Sequence, residues 1–334
     1  AKAVHLDASV VVGMRGAGKS WWTAVLNSDS ARTFASLQIP GSALARVTAK
    51  VGFGLDESEA EFPRAETLAE LINRGFDPVD VWHTVVLRHA LGSVGRSVPF
   101  SERRWGEATT WMVEHRSEAN DLISACDEQL VKERRFLLVL FDSFDRLSSD
   151  WAMVRLLASG ALQLGLRLRS RQSLRAKFFL RPDLEEDDEG WRFADSSKLR
   201  HAKVDLAWTS ADLYRLVFMH LGNTASFGTV FRAITTRDTD PGWAERDAVF
   251  LPPAQLYDDA VQRAIIEALA DPFMGRDRKR GLTFSWVPLH LADAKGRISP
   301  RSYLLAFKKA AEHSAEHRPD HDHAVHYQSI QQGV

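Results

Sequence analysis

The sequence predicts an α/β protein: a three-layer αβα domain around a parallel sheet, followed by a smaller helical region. Three observations predict it. A short apolar run, Ala8-Ser9-Val10-Val11-Val12, leads into a glycine-rich loop and then into a helix-forming stretch from Trp21 to Asn27. A second run, Phe136 to Phe141, is apolar at every position, as a strand buried on both faces reads. Segments with helical spacing lie between and after these runs, and strands alternating with helices demand a sheet covered on both faces. With 334 residues, 45% hydrophobic and 26% charged, the chain can bury a sizeable core.

The loop after the first strand reads Gly13-Met14-Arg15-Gly16-Ala17-Gly18-Lys19-Ser20 and meets the pattern GxxxxGK[ST] in full. Glycines let backbone N–H groups turn inward toward phosphate oxygens, and the following helix start adds partial positive charge. Lys19 is expected on the β- and γ-phosphates, and the Ser20 hydroxyl on Mg²⁺. The run from Phe136 ends in Asp142, which a parallel strand delivers beside the loop. Asp142 therefore suits Mg²⁺ binding, directly or through water. Loop, intervening segment and apolar strand ending in Asp is the order of a P-loop NTPase. Trp21 and Trp22 follow the cradle directly; one is expected in the core and the other near a base or ribose.

Further elements follow in order. Residues 43–55, ALARVTAKVGFGL, predict a strand that Gly52 and Gly54 end early. Residues 77–92 have helical spacing with Asp77 or Asp80 near the start. Residues 101–135 read as one long helical region whose apolar face includes Trp105, Trp111, Met112, Leu122 and Ile123. After Trp208 the character changes. Residues 209–222 predict a helix with a Thr209–Asp212 capping box, and residues 254–270 another. Residues 281–291 read as extended, and a helix at 299–313 closes the series. The expected organisation is a core over 1–208, a helical lid over 209–315 with an irregular insertion near 223–253, and a polar tail over 316–334.

Asp142-Ser143-Phe144-Asp145-Arg146 resembles the DDLDR signature of the KAP and STAND groups of P-loop ATPases, which stand close to the AAA+ class. Ser143 departs from it where those proteins often carry a second acid, and in AAA+ enzymes a glutamate there polarises the attacking water. Asp145, displaced by two residues, is the substitute the resemblance offers. AKFFLRPDL, residues 176–184, is similar to the fourth AAA+ strand with the first γ-phosphate sensor at its end. Arg181 stands in that neighbourhood, and its alternative is an ion pair with Asp183 or the acidic loop beyond. SKL, residues 197–199, resembles the arginine-finger motif of origin-recognition ATPases with Lys198 in the arginine's place. Lysine lacks the bidentate fork. SPR, residues 299–301, resembles the second sensor of AAA+ lids, so Arg301 is expected to read the γ-phosphate.

The resemblance implies ATP rather than GTP, and no N-K-x-D motif is present. The function so read is an Mg-ATP-binding ATPase module that couples nucleotide state to lid position and to assembly, as a homo-oligomer or with a partner protein. The resemblance suggests prokaryotic defence or signalling as its setting. Two alternatives stand beside it: a non-cycling ATP- or ADP-bound switch, and an ATPase that loads or remodels nucleic acid.

The formal net charge of −1 gives no support for general nucleic-acid or polyanion binding, so any basic surface must be local. Local candidates for nucleic acid are an arginine stripe (Arg167, Arg171 and Arg175 on one helical face) and the basic loop 275–281. EEDDE, 185–189, reads as a solvated loop. His313, His317, His321, His323 and His326 have metal-capable spacing, but beside Pro319 they read as an exposed, frayed end. A single cysteine, Cys126, excludes a disulfide framework and fits a reducing, cytoplasmic setting. No apolar run approaches the ~18 residues of a membrane span. A chain that opens on Ala1 with no signal-peptide pattern is expected to be part of a longer protein.

Overall fold

The computed structural model describes residues 2–39, 41–55, 59–101, 104–236, 242–246 and 248–334. Two units emerge. One holds residues 1–13 and 18–206; the other holds residues 14–17 and 207–334.

In the first unit, β1 (Val10–Val12), β2 (Val47–Phe53), β3 (Phe136–Phe141), β4 (Leu174–Leu180) and β5 (Lys203–Asp205) form one parallel sheet in the order β2-β3-β4-β1-β5. All carboxyl ends therefore share one edge, where the chain leaves β1 at Gly13, β3 at Asp142 and β4 at Arg181. Its helices are α1 (Lys19–Asn27), α2 (Asp29–Gln38), α3 (Ala65–Asn73), α4 (Pro78–Ser93), α5 (Trp105–Glu114), α6 (Arg116–Lys132), α7 (Trp151–Leu168), α8 (Pro182–Glu185) and α9 (Ser196–His201). Successive side chains of a strand point to opposite faces, and the core divides accordingly. Leu137, Val139 and Phe141 join the larger cluster with Trp82 of α4, Ile123 of α6 and Leu157 of α7. Leu138 and Leu140 join Val11 and Leu26 of α1 on the other face. This is the three-layer αβα architecture of a P-loop NTPase core.

Local chemistry starts the elements where they start. Asp77 accepts from Val79 N at 2.8 Å and Pro78 takes the first helical position, fixing the start of α4. That helix is buried nearly all round, and Trp82 Nε1 donates to Leu157 O at 2.8 Å across to α7. β2 runs through Gly52 to Phe53 with a register shift there, and only glycine fits the turn of the strand, since a Cβ at Gly52 would stand 2.7 Å from Phe141 and Val139.

Three expectations are corrected in this unit. The region 101–135 is two helices, because the backbone breaks at His115 (φ −121°, ψ 38°). The arginine stripe does not exist: α7 ends at Leu168, Arg171 lies in the turn and Arg175 lies in β4. The acidic loop is held by cations as well as solvated, with Asp188 and Glu189 still largely exposed. Arg155 bonds Asp187 at 2.6 Å and also Glu189, Arg200 bonds Asp188 at 2.9 Å, and Lys203 bonds Glu185 at 2.9 Å. Of the two tryptophans, Trp22 packs against the smaller core cluster while Trp21 is 61% exposed.

The second unit contains α10 (Ser210–Gly222), α11 (Gly228–Thr235), a hairpin of β6 (Ala244–Arg246) and β7 (Val249–Leu251), α12 (Asp259–Leu269), α13 (Thr283–Leu291), α14 (Pro300–His317) and α15 (Tyr327–Gly333). Thr209 and Asp212 form a reciprocal capping box on α10. In the region 223–253, residues 237–241 and 247 lie outside the described residues. Tyr214, Phe218, Phe231, Ile266, Val287 and Tyr303 belong to a separate core.

Residues 283–291 are helical, not extended. Pro288 has no N–H to give the Phe284 carbonyl, and Tyr214 Oη supplies that bond instead at 2.5 Å. The stretch from 316 is not a frayed end either. Val325, Ser329 and Ile330 are buried, and Ile330 belongs to the core.

Candidate nucleotide site

β1 ends in a loop built for close turns. Gly16 and Gly18 take φ of +83° and +104°, in the left-handed region that favours glycine. Ala17 N closes a turn on Met14 O at 3.1 Å. α1 then starts at Lys19 with Gly18 as its N-cap and no side-chain cap. A helix start without a side-chain cap directs its first N–H groups at whatever anion occupies the loop. Lys19 Nζ donates to Gly13 O at 2.7 Å, across the loop's own base. Ser20 is the second residue of α1 and half-buried, and Arg15 at the apex is exposed.

The three carboxyl ends bring charge together around Lys19. Burial holds its ammonium below the ordinary lysine range; Asp142 opposes that shift, Arg181 adds to it, and Asp145 and Asp183 oppose it more weakly. Asp142 is 2% exposed at the end of β3, and its N–H bonds Phe53 O at 2.9 Å. Ser143 follows in the left-handed region at φ +60°, unusual for a residue with a side chain. That twist starts the short 3-10 turn Phe144–Arg146, which carries Asp145. Arg181 pairs with Asp183 at 2.8 Å and with Asp145 at 3.5 Å. The group at this edge is thus a lysine, an arginine and three carboxylates.

Arg301 and Lys198 lie on other elements, α14 and α9. In the second unit, which holds the loop apex 14–17, a Cβ on Gly16 would collide with the Ser299 hydroxyl and stand 3.1 Å from Arg301 Cβ. Ser299 caps α14 through Ser302 N, Pro300 opens it, and Arg301 is exposed one residue later. Trp208 Nε1 donates to Ala17 O at 3.0 Å within the same unit. Lys198 lies on α9 and pairs with Asp195 at 2.7 Å.

Two features went unread in the sequence, one at the site and one at the other end of β1. Nothing in the local pattern announces the left-handed Ser143. Lys177 offered a signal, a lysine inside the apolar run of β4. It is fully buried, donates to His5 O and Ala8 O at 2.9 and 2.5 Å, and burial pushes it down to about 7. It braces the segment leading into β1.

The donor set fits Mg²⁺ with a phosphate ligand. A buried carboxylate and a hydroxyl are hard oxygen donors, and the uncapped helix start with its lysine suits the anion. Among the described residues, no helix is long and apolar enough to cross a membrane.

No protein-family model matches this chain, and neither does any curated protein. Among solved structures it is similar to the Aeropyrum pernix ORC2 protein in ADPNP-ADP complexes, with 17% sequence identity and a TM-score of 0.37. That match covers 100% of this chain and 63% of the other, so the chain spans less than two thirds of that protein's length. The fold assignment rests on the strand order and the loop geometry described above.

Proposed function

We propose that the chain is an Mg-ATP-binding module of AAA+ type whose nucleotide state sets the conformation of its helical region, with slow turnover or none. One observation carries this reading: the phosphate loop of β1 ends in Lys19, and the buried Asp142 of β3 is among the charges acting on its ammonium. Lys19 would hold the β- and γ-phosphates, and Ser20 with Asp142 would hold Mg²⁺. When bound, Mg²⁺ supplies charge neutralisation at the phosphates.

Slow turnover follows from the groups beside Asp142. Ser143 has no acid to polarise water, and Asp145, the nearest substitute, is engaged by Arg181. The nearness of Gly16 to Ser299 and Arg301 supports Arg301 as a reader of the γ-phosphate in the same chain. Lys198 as a finger in a neighbour's site is the weaker part of the proposal, since Asp195 already engages it. Placement among KAP- or STAND-type modules, with a role in defence or signalling, rests on residues 142–146 alone.

The test is titration of ATP with and without Mg²⁺, beside Lys19→Ala and Asp142→Asn, with hydrolysis followed against protein concentration. Binding that needs Lys19, gains from Mg²⁺ only when Asp142 is present, and leaves ATP intact supports the switch. Turnover rising more steeply than linearly with concentration would overturn the switch in favour of an assembling ATPase. ATP binding that survives Lys19→Ala unchanged would overturn the site itself.

A further inference from the structure

We propose that the second unit carries a zinc-class metal site built from Asp271, His321 and His326, with His323 as its fourth ligand. One ligand atom from each of the first three can be chosen so that all lie within 4.8 Å of one another. His321 Nε2 stands 2.9 Å from Asp271 Oδ1, and His326 Nε2 stands 3.9 Å from Asp271 Oδ2. The two imidazole rings cross edge to face with centroids 4.6 Å apart. His323 Nδ1 reaches within 3.5 Å of the same carboxylate. That nitrogen is shut off from solvent with no hydrogen-bond partner among the described residues. A buried polar atom without a partner is costly, and a metal on the carboxylate would satisfy it.

The backbone already holds these groups together. Ala270 and Val325 form a parallel bridge, Asp271 N donates to Val325 O at 3.2 Å, and Tyr327 N donates to Asp271 Oδ2 at 2.9 Å. The last of these fixes the carboxylate as outer-shell partners of metal ligands do. His313 and His317 do not take part: they stack on each other at 4.2 Å, and His313 bonds Ser329.

Imidazole and carboxylate donors in a group of four match tetrahedral zinc. Two ligands at about 2.0–2.1 Å from zinc stand about 3.3 Å apart, so Asp271, His321 and His326, whose ligand atoms lie within 4.8 Å of one another, need only close in, and His323 must swing further to join them. Two bonds are given up, the first being that between His321 Nε2 and Asp271 Oδ1 at 2.9 Å. Gln328 N donates to His326 Nδ1 at 3.2 Å, and coordination through Nε2 places a proton on Nδ1. The site clamps residues 321–326 to the end of α12, a structural role independent of the nucleotide.

The experiment uses the full chain freed of any affinity tag. Zinc affinity is read by competition with a chromophoric chelator, stoichiometry by atomic emission, and ligand geometry from the visible bands of the Co²⁺ form. Wild type is expected to hold one zinc per chain with a tetrahedral Co²⁺ spectrum. His321→Gln and Asp271→Asn should weaken zinc by about tenfold or more, while His317→Gln and Asp142→Asn leave it unchanged. Folding of every variant is checked by circular dichroism. Should Asp271→Asn unfold, His321→Gln and the wild-type Co²⁺ spectrum decide. Failure of folded wild type to hold zinc stoichiometrically overturns the site, as does equal loss in His317→Gln. Loss confined to Asp142→Asn would place the metal at the nucleotide site and overturn it equally.

Discussion

Lys177 should make the protein's stability climb with pH in a range where most proteins change little. The side chain faces the smaller core cluster, is fully buried, and has its pKa lowered from 10.5 to about 7 by burial, with Asp7 opposing weakly. Between these values the unfolded chain binds more protons at this position than the folded one, so stability rises with pH. The contribution is complete above the unfolded value and is lost as pH falls through the folded one. With a pKa unit worth about 1.4 kcal/mol, the change from about pH 7 to about pH 9.5 amounts to about 2–3 kcal/mol. Lys177→Met removes the titration and also leaves the His5 and Ala8 carbonyls without their donor. Its absolute stability therefore combines two opposed effects, but only the titration depends on pH. Urea unfolding of both proteins over that pH range isolates it, because other groups cancel in the difference. The wild type should gain about 2–3 kcal/mol on the variant across the range. Parallel profiles would refute the argument, showing that the ammonium is fully solvated or stays charged in the fold.

Other consequences can be checked the same way. Asp127 accepts from the backbone N–H groups of Gln172, Ser173 and Leu174 at 2.7–2.9 Å; Asp127→Ala should cost about 3 kcal/mol or more in urea unfolding, since it orphans buried donors. His89 is buried against Val51 O, and burial lowers it from 6.5 to about 4. Stability should accordingly fall as pH drops from about 6.5 toward about 4, and His89→Gln should flatten part of that acid limb. Tyr214→Phe leaves the Phe284 carbonyl without its donor opposite Pro288, and thermal unfolding should show a loss of about 1–3 kcal/mol. Gly16→Ala forces a side chain into the left-handed region and against Ser299; calorimetric titration should show weakened ATP binding, while Gly41→Ala, also at positive φ but facing open space, should not.

The legible parts of the sequence were those governed by short-range rules. A loop of fixed spacing, and a strand apolar at every position because both its faces are buried, need no knowledge of distant partners. Residues 283–291 defeated the same reasoning because Pro288 ordinarily ends a helix, and the compensating donor, Tyr214, lies about 70 residues earlier. The arginine stripe required a helix to continue past Leu168, where the chain instead turns into β4. The ion pairs of the acidic loop went unread because Arg155, Arg200 and Lys203 reach it from other elements. The histidines show the limit most sharply. Five sit within a short stretch, yet the structure gathers three around Asp271, a residue the spacing does not reveal. At the candidate site, Arg181 and its pairing with Asp183 could be offered from sequence, but its second partner, Asp145, comes from the meeting of β3 and β4 at one edge.

The strand order also dictates when the phosphate loop can come into being during synthesis. Among the described residues β1 pairs with β4 and β5, so a strand made early in the sheet finds its neighbours among the last to be made. Until residue 180 has emerged, Val10–Val12 and the loop after them have no edge to dock on. Pairings so remote in sequence are slow and leave apolar segments exposed in the meantime. Nascent chains halted before β4 should therefore bind chaperones and not nucleotide, and competence to bind ATP should arise abruptly with the release of β4 and β5.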